Sequence, residues 1–159
     1  MKSIVLSIFT FQLATLLLLP DAQADNKVKC TTYSILAKEE KGAYSKSLKK
    51  FKHIFKKMPF KIYKSFKLLN KNQLALSNRE KSAKIGSNLK LSIKLLDRIL
   101  SSNNKTRYRI KLRILKKKEK KKKYSPIYSM VMKLSRDKPM FLAGPQKGGG
   151  TLVIGLICQ

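Results

Sequence analysis

Two segments of the chain alternate regularly between apolar and polar positions, residues 89–95 and 107–114. Side chains two apart on a strand lie on one face, so each segment predicts a strand with one apolar and one polar face. Turn-forming residues at 101–104 separate them, and the pair therefore predicts a β-hairpin. We expect the core to receive Leu89, Leu91, Ile93, Tyr108, Ile110 and Leu112. We expect the opposite face to carry Lys90, Lys94, Arg107, Arg109, Lys111 and Arg113.

Residues 45–58 change to a helical period. Their apolar side chains fall on one arc of about 120°, at 100° per residue, while lysines occupy the opposite side. Pro59 is expected to end the helix. Such a basic amphipathic helix suits an anionic membrane surface. The alternative is that Phe51 and Phe55 pack on a sheet while the lysines face water. We favour packing, because the strands need a helix to cover them.

The remaining apolar runs predict further strands. The last run is nearly continuous in apolar residues and is expected to lie centrally in a sheet. Turns are expected at Asp137, at Gly144-Pro145 and at Gly148–Gly150. The charge run Lys116–Lys123 reads either as a hairpin tip or as the frayed ends of two long strands. The predicted strands are Lys27–Leu36, Phe60–Leu69, Gln73–Ser77, Ala83–Ile85, Tyr128–Leu134, Met140–Ala143 and Thr151–Cys158.

This order of elements predicts an α+β fold, mainly an antiparallel β-sheet or sandwich with one amphipathic helix packed on it. The helix follows the first strand and precedes the second. A right-handed crossover through it would make these two strands parallel neighbours or near neighbours.

The first residues have the organisation of a secretory signal. Lys2 precedes the apolar run Ile4–Leu19, and Ala22-Gln23-Ala24 offers the small residues that a signal peptidase accepts. The run has about 16 residues, fewer than the roughly 20 that span a bilayer. We therefore expect residues 1–24 to be a signal peptide and residues 25–159 to form a single basic β-rich domain. The protein is expected to be exported and to be periplasmic or secreted after cleavage.

Charge dominates the composition. The chain has 37 basic and 8 acidic residues and a formal net charge of +29, and 31 of the basic residues are Lys. Lys acts as a hydrated point charge, whereas Arg gives planar, bidentate recognition. A Lys-rich surface therefore favours diffuse attraction to polyanions over recognition of a specific base sequence or motif. Compositional drift in an AT-rich genome explains the same Lys content without a function.

Cys30 and Cys158 stand near the two ends of the expected mature chain. An isolated pair in an exported protein favours a disulfide. Their spacing excludes CxxC redox and zinc motifs, and with His53 as the one histidine a Cys/His metal site cannot be assembled. We therefore expect neither a metal nor a cofactor.

No arrangement of residues points to catalysis. The acidic residues lack a recognisable spacing apart from adjacent Glu39-Glu40, and no GxSxG, HExxH or phosphate-loop pattern occurs. His53 lies among lysines, where solvation is the simpler interpretation. We therefore expect a protein that is not an enzyme.

Several motifs resemble those of small exported bacterial proteins of uncharacterised function. The resemblance rests on an opening βα unit and on three segments: LxLxIxLL at Leu89–Leu96, KPxFLAGP at Lys138–Pro145 and GGGTLVI at Gly148–Ile154. It covers most of the expected mature chain. Because these motifs describe turns and core strands, the resemblance implies a fold and carries no function.

Two classes of function remain. In the first, the basic hairpin face binds an anionic polymer, a glycan or an anionic membrane surface of the envelope. Few aromatic residues interrupt that face, so a base-stacking platform is not indicated. In the second, the protein is a structural or assembly subunit that docks on an acidic envelope protein. The basic face also has a purely structural interpretation, as the solvated outer side of a sheet.

Overall fold

The computed structural model describes residues 27–100, 105–118 and 123–159. The expected signal peptide, the expected turn at 101–104 and the centre of the 116–123 charge run lie outside these residues. About two-thirds of the described residues lie in strands. The strands are β1 (Val28–Lys38), β2 (Ser65–Leu76), β3 (Lys81–Lys84), β4 (Leu89–Leu100), β5 (Thr106–Lys117), β6 (Tyr124–Ser135), β7 (Met140–Lys147) and β8 (Gly150–Cys158).

The strands form two four-stranded antiparallel sheets. The order is β2-β1-β8-β7 in the first sheet and β3-β4-β5-β6 in the second. One hydrophobic core lies between them, with side chains from β1, β2 and β8 on one side and from β4, β5 and β6 on the other. The hydroxyl of Ser34 donates to the carbonyl of Ile85 at 2.9 Å and links the two layers. The predicted α+β fold is confirmed.

The helical segment is shorter and less regular than the predicted helix over residues 45–58. A 3₁₀ segment, Lys46–Phe51, continues as a single α-helical turn, α1 (Lys52–Phe55). Its lysines have no acidic neighbour in the segment, and like charges three or four residues apart weaken a helix.

Packing on the sheet, the favoured interpretation of this segment, is confirmed. Phe51 and Phe55 are buried against the outer face of the first sheet. Phe55 stacks on Phe66 with 4.4 Å between ring centroids, and Phe51 meets the ring of Phe141 at 4.9 Å. Burial raises the pKa of Tyr44, whose side chain joins the same cluster. The apolar face of the segment is therefore occupied inside the protein, and a membrane is not needed to cover it.

The predicted crossover is wrong, because β1 and β2 are antiparallel neighbours. Lys38 at the end of β1 pairs with Ser65 at the start of β2, so the chain returns to the end that it left. The strand β1 spans about 36 Å at about 3.3 Å per residue. The helical segment 46–55 spans at most about 20 Å, even at the 3₁₀ rise of about 2.0 Å per residue. It is too short to carry the chain back along the whole strand.

Two further expectations need correction. Phe60–Ile62 is a 3₁₀ turn and not the start of a strand, because Phe60 packs its ring into the aromatic cluster. Gly144-Pro145 lies inside β7 at a register shift and is not a hairpin turn. The β7–β8 turn is made by Gly148 and Gly149, with φ of 53° and 70°, a left-handed conformation that glycine adopts without strain.

Candidate anion-binding surface

The predicted hairpin is formed by β4 and β5. Their register places Lys94 opposite Lys111, Leu91 opposite Ile114 and Leu89 opposite Lys116. All six side chains expected in the core are buried. An antiparallel pair with one buried face must point its alternate residues outward. The outward residues of β4 and β5 therefore form the outer side of the second sheet.

The structure brings the six predicted basic residues to this outer side, here called the basic face. Lys94, Arg107, Arg109 and Lys111 are exposed, whereas Lys90 and Arg113 are half-buried. Two further basic residues belong to the basic face. Lys117, at the end of β5, is part of the charge run that the sequence already placed beside the hairpin, whereas Lys133 on β6, which pairs with Arg109, was missed. The basic face thus consists of Lys90, Lys94, Arg107, Arg109, Lys111, Arg113, Lys117 and Lys133.

Like charges face each other across the strands. Lys94 lies opposite Lys111, and Arg109 lies opposite Lys133. Within residues 27–100, 105–118 and 123–159 none of these four side chains makes an ion pair. Asp97 lies opposite Arg109 on the other side, but its carboxylate accepts a hydrogen bond from the backbone N–H of Arg98. The centre of the basic face therefore keeps most of its charge.

One end of the basic face holds a shallow depression of about 380 Å³. Arg113 forms an ion pair there with Glu80, and its Nε donates to the carboxylate at 3.1 Å. The ammonium group of Lys90 lies 4.3 Å from the ring centroid of Tyr124, at the rim. Neither Glu80 nor Tyr124 carries a signal in the sequence, because only the register of the consecutive strands β3 to β6 brings Glu80 to Arg113 and Tyr124 to Lys90.

Cys30 and Cys158 form the predicted disulfide, with 4.0 Å between their Cα atoms. They occupy paired positions on β1 and β8, so the bond ties the first strand to the last. The bond lies in the first sheet, away from the basic face.

The described residues contain no group of three or more His, Cys, Asp or Glu side chains able to hold a metal ion. In the same part of the chain, no helix has both the length and the apolarity to cross a bilayer. Comparison with protein-family models, with curated proteins and with solved structures gives no match. The resemblance drawn from turn and strand motifs stays an expectation.

Proposed function

We propose that the protein is exported and binds anionic envelope components through the basic face, without catalysing a reaction. The ligand is a polyanion, an acidic glycan or an anionic lipid surface. The observation that carries this proposal is the pairing of Lys94 with Lys111 and of Arg109 with Lys133. Like charges placed directly opposite each other on a sheet lower stability. An external anion that neutralises them turns this cost into binding energy.

The geometry of a sheet suits a repeating anion. Outward side chains recur about 6.8 Å apart along a strand, and neighbouring strands lie about 4.8 Å apart. The basic face therefore presents cations on a regular grid that an extended polyanion can follow. Neutralising several ligand charges releases counterions, so the affinity is expected to fall with salt.

The export half of the proposal is supported by the disulfide. Disulfide bonds persist in oxidising compartments and are rare in the cytosol. Intact-mass measurement of protein from its native host is expected to give a chain that begins at Asp25. A chain that retains residues 1–24 would contradict this expectation.

The experiment that tests the binding compares two triple variants of equal net charge. Arg107→Glu, Lys111→Glu and Lys133→Glu alter the basic face. Lys49→Glu, Lys52→Glu and Lys56→Glu alter the exposed lysines of the helical segment. We expect the face variant to leave a heparin column at much lower salt and to show a flatter salt dependence. The helical variant is expected to stay close to the wild type.

Two results would contradict the proposal. Equal losses in both variants would mean that only net charge matters and that no binding surface exists. Unchanged binding in both would favour the second function, docking on an acidic envelope protein. One feature favours that alternative: the edge strand β6 exposes Ile127, Tyr128 and Val131 by 47%, 45% and 55%, and protein interfaces combine apolar contacts with polar rims.

A further inference from the structure

The depression at the end of the basic face contains a buried hydroxyl without a partner. Ser92 on β4 is 2% exposed, and its Oγ makes no hydrogen bond within the described residues. Buried polar groups are nearly always hydrogen-bonded, because an unpaired one loses its bonds to water and gains nothing in return. Ser92 lines the depression. A buried, unpaired hydroxyl of this kind indicates that its hydrogen-bond partner is an atom of a bound ligand.

The ion pair of Arg113 and Glu80 crosses over this hydroxyl. Ser92 pairs with Ser82 on β3 and with Arg113 on β5. Glu80 immediately precedes β3, so β4 lies between the two charged residues. To reach the carboxylate, the guanidinium of Arg113 must extend across β4 above Ser92. This position explains why the hydroxyl is buried although it lies on the outer side of a sheet.

The Glu80 carboxylate binds the guanidinium of Arg113 in the way that an external anion would. Arg113 donates to it through both Nε and Nη2. Arginine offers the same fork to phosphate and sulfate oxygens. The pair is only partly buried, with side-chain exposures of 33% and 39%. Exposed ion pairs are weak, so a phosphate or sulfate group, which offers three acceptor oxygens against the two of a carboxylate, can displace Glu80.

We propose that the depression binds a phosphate or sulfate group carried on a sugar ring of an anionic glycan. The oxyanion displaces Glu80 from Arg113 and accepts hydrogen bonds from Ser92 and Ser82. Lys90 adds a second cation at the rim, and the sugar ring packs against Tyr124. This inference rests on the proposed function and names the ligand unit that the basic face recognises.

A titration of the purified protein, followed by backbone NMR shifts, tests the site. The probes are glucose 6-phosphate and glucose 6-sulfate, which separate the two sources of the oxyanion, and glucose is the neutral control. We expect shifts centred on Ser82, Ser92 and Arg113 with at least one of the two anions. Shifts spread evenly over the basic face, or equal shifts with glucose, would overturn the proposal.

Two matched variants separate a discrete site from net charge. Glu80→Gln and Asp97→Asn each remove one negative charge from the same face. We expect Glu80→Gln to tighten binding of the charged probe at least five-fold more than Asp97→Asn, because only Glu80 competes for Arg113. Equal effects of the two substitutions would overturn the proposal.

Ser92→Ala supplies a readout that a structural role would not give. Removing an unpaired buried hydroxyl is expected to leave the melting temperature of the free protein unchanged or higher, while binding of the probe weakens several-fold. Ser129→Ala, on the other side of Arg113, is the control and is expected to change neither. A lower melting temperature of Ser92→Ala would show that the hydroxyl is a structural donor and would overturn the proposal.

Heparin retention that survives while no probe binds would reject the site and leave the proposed function standing.

Discussion

At the scale of single residues, the disulfide between Cys30 and Cys158 makes the largest covalent contribution to the fold. It closes a loop of 128 residues in sequence separation. In the chain-entropy model a loop of this length restricts the unfolded chain by about 5 kcal/mol, and removal of native disulfides typically costs about 2–5 kcal/mol. We expect the double variant Cys30→Ala, Cys158→Ala to lose free energy of unfolding within this range.

Guanidinium denaturation of the oxidised protein, the reduced protein and the double variant measures the loss. The reduced protein and the variant are expected to agree, since both lack the same restriction. An unchanged midpoint in reduced protein whose thiols are shown to be free would contradict the prediction.

Residues differ in how far the sequence reveals their role. The disulfide was predictable, because two isolated cysteines on predicted strands leave one pairing. The site around Arg113 was not. Ser92 reads as one polar position in an alternating strand, and Glu80 reads as a loop residue. Only the register of β3, β4 and β5 shows that Arg113 reaches Glu80 across Ser92.

At the scale of elements, the proposed function implies that the opposition of Lys94 and Lys111 couples stability to binding. Replacing Lys111 with Glu changes a cross-strand repulsion into an opposite-charge pair, and such pairs contribute roughly 0.2–1 kcal/mol. We therefore expect Lys111→Glu to raise the free energy of unfolding by about that amount, while retention on heparin decreases. Thermal melts and salt elution of the same preparation measure the two effects.

The matched control is Lys49→Glu, which makes the same charge change on the exposed side of the helical segment. It is expected to alter stability less, because no strand neighbour stands opposite Lys49. A loss of stability in Lys111→Glu would mean that the repulsion across β4 and β5 is already relieved in the free protein. The argument for binding by opposed like charges would then fail.

Among the elements, the strands with strict alternation were predicted best. β4 and β5 each have one fully buried face, which fixes both their register and the direction of their side chains. Residues 60–62 also alternate, yet Phe60 and Tyr63 pack in the same aromatic cluster, whereas residues three apart on a strand point to opposite faces. The phenol of Tyr63 donates to the hydroxyl of Thr151 at 2.9 Å. Whether a short alternating run forms a strand therefore depends on tertiary contacts that the sequence pattern does not show.

At the scale of the whole molecule, the two outer faces differ in kind. The helical segment and its aromatic cluster cover the first sheet, whereas the second sheet leaves the basic face open. Sequence patterns predicted one helix on a sheet. They could not say which sheet it covers, because that depends on β8 pairing with β1 rather than with the predicted hairpin. This asymmetry leaves the basic face open to solvent.

The net charge of +29 predicts opposite effects of salt on folding and on binding. Self-repulsion destabilises a compact, highly charged protein. Raising NaCl from about 10 mM to about 1 M shortens the screening length from about 30 Å to about 3 Å. We expect the melting temperature of the free protein to rise over this range, while the affinity for heparin falls because counterion release is less favourable.

The face variant with Arg107, Lys111 and Lys133 changed to Glu is the sharpest comparison for this salt effect. Its net charge is lower, and its central cross-strand repulsions are gone, because Lys94 and Arg109 then each face a carboxylate. Its melting temperature is therefore expected to start higher at low salt and to rise less as salt is added. The helical variant at Lys49, Lys52 and Lys56 has the same net charge but keeps the opposed pairs, so its salt dependence is expected to lie between those of the wild type and the face variant. If the melting temperatures of the two variants depend on salt in the same way, charge repulsion acts over the whole surface. The opposed pairs of the basic face would then contribute no more to it than other lysines do.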